Sequence, residues 1–186
     1  MSEKKKENGN QILDNIRFST TKLIVISNSG KISIGTGFFF YLRKNEKLVW
    51  PLLVTNKHII EDWKSVSFNV LKADQEGNPL IGDSENFTIQ KSDGSWISHP
   101  NVDLSVFPIS SLIEQKQKSG INLYCKFIQE ELIPTKDNIN TISSIEDAYS
   151  GASSSKPLVT NITASKVYLI RLSLTFSSWI VNSQVL

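Results

Sequence analysis

Alternation of apolar and polar positions dominates the middle of this chain, roughly from residue 20 to residue 110. In Ser65–Leu71 the apolar residues Val66, Phe68 and Val70 occupy every second position, which is the period of a half-buried strand. Leu23–Ile26 is an uninterrupted apolar run rich in β-branched residues, which also favours a strand. Further short strands are predicted at Lys31–Tyr41, Leu48–Thr55, Phe87–Ile89, Leu104–Ile109 and Ile121–Ile128.

Turn residues separate these apolar segments. Asn28–Gly30 is typical of a tight turn that tolerates positive φ, Ser92–Ser95 predicts a hairpin turn, and Ala73–Glu85 predicts a surface loop. Gly35 and Gly37 lie inside a predicted strand, where glycine indicates a bulge or the close approach of another backbone. Short strands at near-regular spacing, with little helical pattern between them, predict an all-β barrel or sandwich.

Composition and charge narrow the range of partners and locations. The chain of 186 residues has 20 basic and 18 acidic residues without a long basic stripe, so we expect neither nucleic acid nor a membrane as partner. Residues 1–20 contain no apolar run of the kind found in secretory signals. The single cysteine, Cys125, has no partner for an internal disulfide and is expected to be a half-buried thiol. Together these features predict a cytoplasmic, reducing location.

The first candidate site residue lies in the segment from Gly35 to Ile60. The segment begins Gly-Thr-Gly-Phe-Phe-Phe, passes through a polar turn, and ends Leu-Leu-Val-Thr-Asn-Lys-His-Ile-Ile. His58 therefore stands at the end of an apolar strand, where its side chain is expected to face the space in front of the sheet. This arrangement resembles the first hairpin of trypsin-like (chymotrypsin-fold) serine peptidases of the bacterial, disulfide-free type. In that family the catalytic histidine follows just such a strand.

The second candidate is Asp103, at the start of the apolar strand Leu104–Ile109. A carboxylate in this position is expensive to bury unless it is hydrogen-bonded, and a histidine from another strand is a suitable partner. The sequence Asp-Leu-Ser-Val-Phe, preceded by a His-Pro turn, resembles the segment that carries the triad aspartate in the same peptidases. From position 58 to position 103 the interval is 45 residues, as in the chymotrypsin triad.

The resemblance implies a role for each of these residues and a reaction. His58 is the expected general base, and Asp103 is expected to orient it and stabilise the imidazolium. The expected reaction is hydrolysis of peptide bonds in a peptide or protein substrate, with no cofactor. We expect His99 to be a turn residue beside Pro100, and no metal site, because two histidines and scattered carboxylates have no metal-ligand spacing.

The nucleophile of this family lies in a Gly-x-Ser-Gly-x-Pro pattern, about ninety residues after the aspartate in the chymotrypsin template. Ser153 is the single candidate, because Gly151 stands two positions before it. The match is partial, since Ser154 replaces the second glycine and the proline follows one position late. Residues 148–186 also contain no Asp or Glu and no glycine after Gly151. A plain Ser-rich loop is the alternative interpretation.

These observations divide the chain into three predicted parts. Residues 1–20 form a flexible tail, residues 21–147 a trypsin-like antiparallel β-barrel domain, and residues 148–186 a divergent segment. The first barrel is expected to be largely complete and the second incomplete. The divergence has two explanations, an altered or truncated reading frame near residue 148 or a pseudo-enzyme whose second half has changed.

Two functions follow from this division. One is a serine endopeptidase with a His-Asp-Ser triad, which is inactive if the nucleophile is missing. The other is a non-catalytic β module that binds a peptide or partner protein through exposed strand edges. Such edges also favour self-association of the chain.

Overall fold

The computed structural model of the chain describes residues 17–43 and 49–129. The candidate Ser153 and the whole of the segment 148–186 lie outside these described residues. Most of the described residues belong to β-strands, which confirms the all-β prediction. The strands are β1 (Thr20–Ser27), β2 (Ile32–Arg43), β3 (Val49–Thr55), β4 (Trp63–Ala73), β5 (Pro79–Gln90), β6 (Ile97–Ser98), β7 (Ser105–Pro108), β8 (Leu123–Tyr124) and β9 (Ile128–Gln129).

The order of the strands in the sheet brings distant parts of the chain together. The order is β5-β4-β1-β2-β3-β7-β6, with β8 paired to β4. β3 is antiparallel to both of its neighbours, with Val54 opposite Phe38 of β2 and Thr55 opposite Ser105 of β7. The end of β3 and the start of β7 therefore lie side by side, where these two neighbouring strands meet the same end of the sheet.

Alternating burial along the strands builds the core, as the sequence pattern predicted. Val66, Phe68 and Val70 of β4 are all buried. Burial also alternates in β1, where Leu23 and Val25 are buried while Ile24 and Ile26 are exposed, although the sequence of this strand is an uninterrupted apolar run. The same core contains further large side chains from β4 and from other parts of the chain. These are Phe39, Leu53, Trp63, Phe87, Ile89, Trp96, Phe107 and Ile109.

Gly35 and Gly37 of β2 make room for side chains. The register between β2 and β1 runs unbroken through both glycines, so the predicted bulge is wrong. The atoms that come close to the two glycines belong to side chains and not to another backbone. A Cβ atom at Gly35 would lie 2.7 Å from Cγ2 of Ile59, and one at Gly37 would lie 2.9 Å from Cδ1 of Leu53. Both distances are far below ordinary contact, so the two positions require glycine or a shift of these neighbours.

The predicted loop Ala73–Glu85 is wrong over most of its length, because β5 begins at Pro79 and pairs with β4. Gly77 and Gly82 explain why the local sequence predicts a loop, and both have positive φ, 85° and 90°. The predicted hairpin turn at Ser92–Ser95 is also wrong. A short 3-10 helix, Lys91–Asp93, follows β5, and the next strand, β6, lies at the opposite end of the sheet order.

The α-helix α1 (Ser110–Lys118) follows β7 and was not predicted. Its apolar residues Leu112 and Ile113 pack against the core. Lys116 forms an ion pair with Glu85 of β5. Within residues 17–43 and 49–129, no helix has the length and apolar character that crossing a membrane requires.

Candidate active site

His58 is carried by a turn that is fixed on both sides. β3 ends at Thr55, whose hydroxyl donates a hydrogen bond of 2.9 Å to the carbonyl oxygen of Thr36. The short 3-10 helix Lys57–Ile59 follows, and Ile60 after it is buried in the core. The side chain of His58 is by contrast 63% exposed. The backbone of the turn is therefore anchored while the imidazole remains accessible.

Asp103 is carried by a short loop between β6 and β7 that is organised by His99. The backbone N–H of His99 donates to the carbonyl oxygen of Leu104 at 2.8 Å. Nδ1 of the buried His99 ring accepts hydrogen bonds from the backbone N–H groups of Asn101 (3.1 Å) and Val102 (3.2 Å). His99 is thus a structural turn residue that shapes the approach to Asp103, and burial lowers its pKa.

The two candidate side chains are in direct contact. Nδ1 of His58 lies 2.5 Å from Oδ2 of Asp103. The backbone N–H of His58 also donates to Oδ1 of the same carboxylate at 2.9 Å. Both oxygens of Asp103 therefore bind the same residue, one through the imidazole and one through the backbone. This double contact fixes the direction of the imidazole ring relative to the turn.

The pKa of Asp103 is lowered, although partial burial by itself raises it. The hydrogen bonds from the backbone and side chain of His58, the charge of the imidazolium, and a hydrogen bond from Asn56 outweigh the burial. Asp103 is consequently a carboxylate at neutral pH and can only accept hydrogen bonds. Nδ1 of His58 therefore carries a proton, and in the neutral form of the ring the lone pair is on Nε2.

The Nε2 atom of His58 has no hydrogen-bond partner among residues 17–43 and 49–129. The described residues thus bring together an imidazole and a carboxylate, and none of them hydrogen-bonds to Nε2. Cys125 is no substitute, because burial raises the pKa of its thiol to about 12 and so keeps it protonated. In the part of the chain that the structure describes, no group of three His, Cys, Asp or Glu residues could hold a metal ion.

Asn56 joins this cluster and was not predicted from sequence. Its amide nitrogen lies 3.2 Å from both the carbonyl oxygen and Oδ2 of Asp103. The available signal was an Asn immediately before a short turn, a position where side chains commonly cap a helix. That signal predicts a local hydrogen bond, whereas the observed one spans 47 residues of sequence.

Comparison of the chain with protein-family models, curated proteins and solved structures found no match.

Proposed function

We propose that the chain is a trypsin-like serine endopeptidase domain of the antiparallel β-barrel fold, with His58 as general base and Asp103 as its orienting carboxylate. The observation that carries the proposal is the contact of 2.5 Å between Nδ1 of His58 and Oδ2 of Asp103. In the triad mechanism this contact holds the imidazole in the tautomer whose Nε2 can accept a proton. The chain has a single cysteine and so needs no internal disulfide, which is consistent with the proposed location in the reducing cytoplasm.

The proposed reaction begins when Nε2 of His58 takes the proton of a serine hydroxyl as the oxygen attacks the substrate carbonyl. The imidazolium that forms is stabilised by the Asp103 carboxylate and then donates its proton to the leaving amine. Water next hydrolyses the acyl-enzyme with the same histidine as base. Ser153 is the proposed nucleophile, and it lies outside the described residues.

A fluorophosphonate probe tests the proposal, because it forms an adduct with an activated serine. We expect one adduct on the wild-type protein, which peptide mapping should place on Ser153. The adduct should be lost in His58→Ala and in Ser153→Ala, while Thr36→Ala, a change on a neighbouring strand, should label normally. A folded wild-type protein that remains unlabelled would contradict the peptidase proposal, and labelling of another serine would reassign the nucleophile.

A second candidate function is a non-catalytic module that pairs with an extended partner strand. The observation that favours it is β5, a strand of 12 residues at one end of the sheet order. Leu80 and Ile81 at its start are 39% and 64% exposed. Edge strands with exposed apolar residues favour pairing with another chain.

Self-association provides the test of this second candidate. If β5 pairs with a second copy, Ile81→Lys should shift the protein from dimer to monomer in analytical ultracentrifugation. The matched change Ile34→Lys, on an interior strand of the sheet, should leave the dimer intact. A wild-type protein that is monomeric at all concentrations, and that binds no extended peptide, would exclude this function.

A further inference from the structure

Asn56 occupies the capping position of the 3-10 helix Lys57–Ile59 without capping it. Its backbone is extended, with φ −70° and ψ 139°, as expected for a residue that precedes a helix. An Asn in this position ordinarily accepts a hydrogen bond from a backbone N–H in the first turn of the helix. Here its side chain makes no such hydrogen bond. The amide is therefore engaged elsewhere.

Asp103 provides the cap in place of Asn56. The N–H of His58, the second residue of the 3-10 helix, donates to Oδ1 of Asp103 at 2.9 Å. In exchange, the amide nitrogen of Asn56 donates to the carbonyl oxygen and to Oδ2 of Asp103, both at 3.2 Å. The two segments thus hold each other by reciprocal hydrogen bonds between the end of β3 and the start of β7.

Hydrogen bonds are needed here because packing alone leaves the carboxylate loosely held. The Asp103 side chain is 49% exposed, and its carboxylate can rotate about the bond to Cβ unless both oxygens are bound. Oδ1 is held by the backbone of His58, whereas Oδ2 receives both the imidazole of His58 and the amide of Asn56. Asn56 is the contact on Oδ2 that does not depend on where the imidazole points.

We propose that Asn56 is a positioning residue that holds Oδ2 of Asp103 in line with Nδ1 of His58, so that the imidazole keeps its proton on Nδ1. The proposal deepens the proposed peptidase function and rests on it for the use of the histidine as a base. The tautomer itself can be measured without any substrate. The two proposals can therefore fail separately.

Imidazole ¹⁵N shifts of the full-length protein provide the measurement, because the chain has only two histidines, His58 and His99. In the wild type, neutral His58 should be mainly the Nδ1–H tautomer. In Asn56→Asp, which keeps the shape but replaces the donor by a like charge, the ratio of Nδ1–H to Nε2–H tautomer should fall at least about fivefold. That is the change expected for losing one ordinary hydrogen bond.

The controls separate positioning from a general loss of structure. His99 should keep its own shifts in Asn56→Asp and in Asn56→Ala, which shows that the loop remains folded. Asn101→Asp introduces the same change two residues before Asp103 and should leave the His58 tautomer ratio unaltered. An unchanged His58 ratio in both Asn56 variants would overturn the positioning role. If the wild-type protein is not labelled by the fluorophosphonate while the tautomer ratio of His58 changes in the Asn56 variants, the positioning role of Asn56 stands and the peptidase proposal is contradicted.

Discussion

Nδ1 of His58 lies 2.5 Å from Oδ2 of Asp103, although 45 residues separate them in sequence. The contact follows from the pairing of β3 with β7, in which Thr55 lies opposite Ser105. His58 comes just after the first of these strands and Asp103 just before the second. Antiparallel neighbours place the end of one strand beside the start of the next, so the two side chains meet where the end of β3 adjoins the start of β7.

Asp103→Asn should separate the proposed catalytic role of the carboxylate from its structural role. An Asn side chain can still accept the backbone hydrogen bond of His58 at Oδ1, but its nitrogen cannot accept from Nδ1. We expect the rate of probe labelling to fall about 10⁴-fold, as for the same change in the chymotrypsin triad, while the hydrogen bond that caps the turn of His58 is kept. Asp103→Ala should also lose the cap and about 1 kcal/mol of unfolding free energy. Equal stability of the two variants in urea would contradict the capping role.

Gly35→Ala should strain the turn that carries His58. The added Cβ would lie 2.7 Å from Cγ2 of Ile59, so either the strand or the 3-10 helix must move. We expect a loss of about 1–3 kcal/mol in unfolding free energy, typical of overpacking. Ile59→Ala removes the opposing atoms, so the double variant should be more stable than the sum of the single changes implies. Additive losses in urea denaturation would show that the contact is relaxed elsewhere.

His99 should make the stability of the domain depend on pH. Burial lowers the pKa of His99 below its ordinary value of 6.5, so between these two values the unfolded chain binds the additional proton. Stability from this group is therefore fully present above about pH 6.5 and is lost as the pH falls through the lowered pKa. Protonation also removes the acceptor that holds Asn101 and Val102.

The measurement for His99 is the urea unfolding free energy at a series of pH values from 7.5 down to 5. His99→Asn keeps a hydrogen-bond acceptor in a similar place and does not titrate. On acidification we expect the wild type to lose more unfolding free energy than His99→Asn. A difference that stays constant across this pH range would show that the neutral ring is not required.

Leu53→Ala should reveal how strongly the core depends on β3. Leu53 is fully buried and fills the space left by Gly37 on β2. We expect a loss of about 2–5 kcal/mol in unfolding free energy, as for other large core deletions. Ile34→Ala, at a position 63% exposed on β2, should change stability by no more than about 0.5 kcal/mol. Similar losses at the two positions would contradict the burial of β3.

Local sequence pattern predicted the features that depend on neighbouring residues. The two-residue period of β4 predicted its buried face, and Asn28–Gly30 predicted the turn between β1 and β2, where Gly30 has φ 82°. α1 was missed because its nine residues contain only two large apolar side chains, Leu112 and Ile113. Gly120, with φ 77° shortly after the helix ends, was a usable stop signal.

Features that depend on distant residues were predicted less well. β5 was assigned to a loop because glycine and charged residues disfavour strands, yet β4 supplies backbone partners along most of its length. The glycines of β2 were predicted to mark a bulge or the close approach of another backbone, although the atoms that come close belong to the side chains of Ile59 and Leu53. Which side chain fills the space above a glycine is decided by packing and leaves no periodic signal.

The candidate site divides in the same way. The sequence by itself determined the strands beside His58 and Asp103, because those depend on local apolar pattern, and a resemblance made these two residues the candidates for the site. Only the tertiary structure decided that the two side chains touch, that Asp103 caps the turn of His58, and that Asn56 binds the carboxylate. Those relations follow from the pairing of β3 with β7, and such pairing joins backbone groups that are remote in sequence.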